Sequence, residues 1–194
     1  MAVRAIKELY RYTPEEYLEI ERKAEYKSEY INGEIVAMSG GTVAHGRIAA
    51  NVLRDMGNRI EETSCEAFGS DMRVQTNALH YCYPDVTVVC GKPLTEDRHR
   101  DTLLNPVIVV EILSSSTERY DRNAKFDRYK AIESLREYIL ISQHEPKIER
   151  FLRTESGIWA ETVVEGMEST ITLESIGIEL ELSRIYQRVE FENE

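Results

Sequence analysis

The chain has 194 residues, with 24 Lys plus Arg against 35 Asp plus Glu, giving a formal net charge of −11 at pH 7. At 42% hydrophobic and 30% charged residues it reads as an ordinary globular protein, long enough to bury a sizeable core without a disulfide or a structural metal. The acidic balance weighs against a non-specific nucleic-acid coat protein, but not against an enzyme that offers DNA a local basic groove.

Thr13-Pro14-Glu15-Glu16 places an N-cap, a helix-starting proline and an acid three residues on, which predicts a helix to about Lys23. Glu29-Tyr30-Ile31-Asn32-Gly33-Glu34-Ile35-Val36 reads as two short strands around an Asn-Gly turn. A second helix is expected over Val43 to Ile60, where Ile48, Val52, Leu53, Met56 and Ile60 recur at helical spacing. Strands follow over Met72 to Thr76, Tyr83 to Cys90 and Val107 to Leu113, with Gly91 to Asn105 an exposed loop. Thr117 caps a helix expected to reach Ser134. Glu137 to Ser142 and Lys147 to Arg153 form a hairpin, further strands reach Leu182, and Leu182 to Val189 closes on a short helix. No linker or repeat interrupts the chain, so residues 1–194 are read as one domain of mixed α/β (α+β) class.

Cys65, Cys82 and Cys90 are odd in number and fit no zinc spacing, so they are expected to be reduced core thiols in a cytoplasmic protein. The opening MAVRAIKELYRY lacks the apolar segment of a signal peptide, and the run Val107 to Leu113 is too short to cross a membrane.

That run, Val107-Ile108-Val109-Val110-Glu111-Ile112-Leu113, reads as a strand buried on both faces, yet it contains a carboxylate. A buried Glu111 needs a cation, a metal or hydrogen-bond donors, so it is either a core ion pair or part of a site. Tyr83-Pro84-Asp85-Val86 places Asp85 at the mouth of another strand, where Pro-Asp also suits an ordinary turn. Oxygen ligands converging from two strands are what Mg²⁺ requires, although two carboxylates would also serve glycoside hydrolysis. Asp121, Lys125 and Tyr129 follow at i, i+4 and i+8, sharing one helical face within about 80°, from which Lys125 can reach back toward Asp85 and Glu111. The same spacing also describes a plain surface Asp–Lys pair.

Taken in order, Pro84-Asp85, Glu111-Ile112-Leu113-Ser114, Ser116-Thr117, Asp121, Lys125, Tyr129 and Glu137-Tyr138 resemble the Uma-type restriction-endonuclease family of the PD-(D/E)XK nuclease superfamily. Glu29 to Glu34 and His45 fit the same pattern, so the resemblance runs from Tyr12 to Leu182. It implies a restriction-endonuclease-like fold, a central mixed sheet flanked by helices with a metal-dependent site on one sheet edge. It implies further that Asp85 and Glu111 bind Mg²⁺ (Mn²⁺ as the alternative) and that Glu29 can complete the metal shell. The superfamily's lysine stands two residues after the second acid, where this chain has Leu113; Lys125 on the following helix is the matching residue. Tyr129, Asp121 and His45 would support the site or contact substrate, and Asp71 fits a family position as well.

The function so implied is hydrolysis of phosphodiester bonds, with DNA as the expected substrate and a homodimer as the expected assembly. Lys125 beside two carboxylates would stay protonated and act electrostatically. Arg98, Arg100, Arg119, Arg122 and Arg128 could line a path for the backbone. The rival reading is a catalytically inactive nucleic-acid-binding or assembly module on the same fold, favoured by Leu113 and the net charge. A glycan hydrolase ranks last, because Trp159 is the sole tryptophan and no aromatic sugar platform is evident.

Overall fold

The computed structural model describes residues 10–191. Most of the opening segment MAVRAIKELYRY lies outside them, as do the ends of the 1–194 domain span.

The chain runs α1 (Pro14–Glu21), β1 (Ser28–Ile31), β2 (Glu34–Ala37), α2 (Val43–Ile60), β3 (Cys65–Gly69), β4 (Arg73–Asn77), β5 (His80–Cys82), β6 (Val86–Cys90), β7 (Thr102–Leu103) and β8 (Ile108–Leu113). There follow α3 (Glu118–Tyr120), a π turn (Asp121–Lys125), α4 (Phe126–Tyr129), β9 (Glu137–Ser142), β10 (Lys147–Arg153), β11 (Trp159–Glu165), β12 (Thr170–Leu173), β13 (Ile178–Glu181) and α5 (Leu182–Ile185). Local chemistry accounts for the early elements. Thr13 and Glu16 form a reciprocal capping box at α1. Asn32 and Gly33 both take positive φ, 49° and 88°, as the tight β1–β2 turn requires.

A six-stranded sheet of order β11-β10-β9-β8-β6-β3 forms the centre. Its β8–β9 pair is parallel and the remaining pairs are antiparallel. All six residues of β8 are buried, because both of its faces are covered. On one face Ile108, Val110 and Ile112 pack with Ile48, Val52, Met56 and Ile60 of α2 and with β12, β13 and α5. On the other, Val109 and Leu113 pack with Phe126, Tyr129, Leu135 and Tyr138 and with Val74 and Cys82 of a second sheet. That sheet has the order β2-β1-β5-β4-β7, and α1 covers it through Tyr17 and Leu18 against Tyr30 and Tyr81. The architecture is therefore mixed α+β, with a central mixed sheet between flanking layers.

Three expectations are corrected. The cysteines are not all thiols: Cys65 and Cys90 stand opposite one another in the β3–β6 register and are joined as a disulfide, which leaves Cys82 free and buried. No sequence spacing signals a cross-strand bridge, since it depends on the register alone. The segment Gly91 to Asn105 is not wholly exposed, because Thr102 and Leu103 are buried in β7, parallel to β4. The helix from Thr117 is not one regular α-helix to Ser134; it is interrupted by the π turn, and α4 ends at Tyr129.

Candidate active site

The site lies at the ends of two inner strands of the central sheet, where β6 begins and β8 ends. Val86↔Val110 is the last pair of the β6–β8 ladder, so the N–H of Ile112 lies beyond it. Asp85 fills that gap, its Oδ2 accepting the Ile112 amide at 2.7 Å. Its other oxygen, Oδ1, accepts from His45 Nε2 at 2.9 Å. His45 lies in the first turn of α2, whose N-cap Thr42 accepts the His45 amide and donates to Gln143 Oε1 just past β9. The hydrogen bond to Asp85 raises the His45 pKa above its ordinary value, against the opposing effect of burial.

Glu111 points to the opposite face, toward the helical segment after β8, and is 3% exposed. Lys125, 5% exposed, places Nζ 2.8 Å from Glu111 Oε1, 3.3 Å from Glu29 Oε1 and 3.6 Å from Asp121 Oδ1. Tyr129 donates its hydroxyl to Glu111 Oε1 at 3.0 Å. Glu29 is held from its other side by the Tyr120 hydroxyl, 3.1 Å from Oε2, and Tyr120 in turn accepts from Arg128. The structure thus brings Glu29, Glu111, Asp121, Lys125 and Tyr129 into direct contact, with Asp85 and His45 adjoining through the end of β8. Asp71 does not join them: its side chain is exposed and pairs with Lys27.

The charge balance is lopsided. Four carboxylates face one ammonium and one imidazole. Burial, then Asp121 and Asp85 against the opposing effect of Lys125, drive the Glu111 pKa well above the ordinary carboxylate range. Asp121 is raised too, chiefly by burial. Burial alone would depress Lys125, but Glu111, Glu29 and Asp121 outweigh it and hold the ammonium firmly protonated.

Of the arginines expected along a backbone path, Arg122 is spent on Glu149 and Glu118, and Arg128 on Tyr120. Arg98, Arg100 and Arg119 are exposed. Tyr120, Gln143 and Thr42 belong to this constellation and carry no sequence signal of their own. Tyr120 is five residues before Lys125, a spacing that shares a face only when the turn between them is bonded i to i+5.

A family model described as "Uma2: Putative restriction endonuclease" matches residues 14–184. The chain belongs to the Uma2 family. Two relatives from Synechocystis sp. resemble this Uma2 chain along most of their length. The uncharacterised protein sll1609 is 35% identical over 160 residues, covering 82% of this chain and 90% of the relative. The uncharacterised protein slr1290 is 34% identical over 181 residues, covering 92% and 93%. A crystal structure described as a putative nuclease of DUF820 from Anabaena variabilis superposes with a TM-score of 0.73 over 90% of this Uma2 chain and 97% of its own, at 18% identity. The Uma2 fold here is therefore also found in that protein.

Proposed function

We propose that the chain is a metal-dependent nuclease that hydrolyses phosphodiester bonds in DNA. The observation that carries the reading is the excess of carboxylate over positive charge at these strand ends, in a pocket closed enough to raise Glu111 and Asp121. Hard oxygen donors short of positive charge fit Mg²⁺, or Mn²⁺, better than zinc, which prefers nitrogen and sulfur. Glu29 Oε1 supports the fit, being buried and met by no hydrogen bond, only by the charge of Lys125 at 3.3 Å. Among the described residues no three acidic, His or Cys side chains already form a cage, and Lys125 stands against both Glu29 and Glu111.

Asp85 and Glu111 would hold the ion, with Glu29 completing its shell. Bound there, a divalent cation would polarise the scissile phosphate and lower the pKa of a water. Lys125 keeps its proton, so it supplies positive charge to the phosphoryl group rather than acting as a base. Tyr129 orients Glu111, His45 orients Asp85, and Asp121 holds Lys125 in place. Water would form the new bond to phosphorus as the phosphorus–ester bond breaks, and the proton that the water sheds balances the one taken up by the leaving oxygen. Cutting both strands of a duplex calls for two such sites, which a homodimer provides; sedimentation with and without DNA measures that.

Titration of Mg²⁺ and Mn²⁺ by calorimetry, on the wild type beside Asp85→Asn and Glu111→Gln, tests the centre; plasmid cleavage then tests the activity. Binding lost in both variants, with nicking only by wild type plus metal, is the expected result. A folded protein that binds the ion and DNA yet leaves every nucleic acid intact overturns it in favour of a non-cleaving module.

A further inference from the structure

The Lys125 ammonium occupies ground that a metal ion would need. Its Nζ touches Glu111 Oε1 and Glu29 Oε1, the facing oxygens of two of the three proposed ligands. It does not pair with Asp85, which is engaged by His45 and Ile112. An Mg²⁺ ion binds its oxygens at about 2.1 Å, so an ion taking the same Glu111 oxygen would stand against the ammonium in a buried setting where like charges are poorly screened. The two cations then oppose one another at that carboxylate.

We propose that Lys125 is the resident counter-ion of the carboxylate cluster and competes with the divalent cation for Glu111. This rests on the metal-centre reading above. Without the ion, the ammonium stabilises three buried acids that would otherwise repel one another. On loading, it gives up Glu111 and shares Glu29 with the ion, whose shell that carboxylate completes. Three features suit that retreat. Glu29 Oε1 has no hydrogen-bond partner to displace, and its Oε2 is anchored by Tyr120, which Arg128 holds in turn. The Tyr120 ring centre lies 6.0 Å from Nζ, at the outer reach of a cation–π contact. The lysine also springs from a π turn, where the wider backbone loop departs from regular helical bonding. The lysine thereby sets the affinity of the centre: it lets the metal-free protein fold and keeps the ion weakly held.

The test is calorimetric titration with MnCl₂ alone, at the same fixed pH for both proteins because ligand protonation also competes with the ion. Lys125→Met should bind the ion about tenfold more tightly than wild type, or better, because the like charge is gone. Thermal unfolding should show the variant weakened in EDTA and gaining more from Mn²⁺ than wild type does. Should Lys125→Met fail to fold without metal, wild type labelled with ¹³C-lysine and titrated with Mg²⁺ gives the same answer. The buried lysine signal should move in step with binding. Equal or weaker binding by the variant, or an unmoved lysine signal at saturation, overturns the competition while leaving the metal centre standing. An absence of binding by both proteins overturns the metal centre, and the competition with it.

Discussion

Glu111→Gln should flatten the pH dependence of folding stability. The Glu111 pKa is raised in the folded protein, first by burial and then by Asp121 and Asp85. Between the ordinary carboxylate pKa and that raised value, the folded state carries the proton and the unfolded state has lost it. Stability therefore falls as pH rises through this window, by up to about 1.4 kcal/mol per pH unit for one proton's difference. Asp121 and Glu137, both raised chiefly by burial, have the same sign. So does His45, whose contribution is complete below its unfolded pKa and lost as pH climbs through the raised one. Asp101 is lowered by its Arg22 hydrogen bond and by Arg73, so its contribution is lost only as pH falls below the ordinary aspartate range, outside this window. His80 acts the other way, its pKa being lowered by burial and by Arg128, so it offsets part of the trend below the ordinary histidine pKa. Urea unfolding in EDTA from about pH 5 to 8 should still show a net decline in wild-type stability, as four raised groups outweigh one lowered one. The glutamine variant should decline less steeply by as much as ~1.4 kcal/mol per unit where Glu111 titrates, whatever its absolute stability. A wild-type profile that is level or rising, or a variant with the wild-type slope, refutes the charge balance drawn for the site.

Tyr129→Phe removes a buried donor to a carboxylate and should cost about 1.5–3 kcal/mol in denaturant unfolding; a cost near zero would mean that the hydroxyl does not hold Glu111. Breaking Cys65–Cys90, by reduction or by paired serine substitution, opens a link across 25 positions and should cost about 3.5 kcal/mol on loop entropy. An unchanged midpoint on reduction would show that the two thiols are not joined in solution. Leu113→Lys should not restore activity to Lys125→Ala, because Leu113 is packed among Phe126, Tyr129 and Leu140, where a charge costs on the order of 3 kcal/mol. Restored cleavage in that double variant would place the lysine's working position on the strand.

Elements governed by local chemistry were legible in the residues. The α1 capping box, the Asn32-Gly33 turn and the apolar stripe of α2 each carry their own signal, and each element stands where that signal placed it. Glu111 stood out because a carboxylate amid six apolar neighbours is costly wherever that strand goes. What lay outside such reasoning depends on register or on backbone detail. The Cys65–Cys90 link follows from β3 pairing with β6, which no local pattern encodes. Tyr120 was missed because regular helical spacing turns it away from Lys125, and only the π turn brings them to one side. Thr102 and Leu103 looked like loop residues because a two-residue strand is too short to show periodicity.

Asp85 serves two masters, and that shapes how the chain can change over generations. Its carboxylate stands in for a backbone carbonyl at the frayed end of the β6–β8 ladder, taking up the Ile112 amide, while its other oxygen faces His45. A descendant without the proposed activity would still be selected to keep an acceptor there, since an orphaned amide at a sheet end weakens the fold. Glu111 and Lys125 take up no backbone group in that way: their roles are to each other and to the acids beside them, so they can be given up together, the pair being exchanged for apolar side chains. Among related chains, active and retired copies should therefore differ first at 111 and 125, with an aspartate or asparagine surviving at 85 in both.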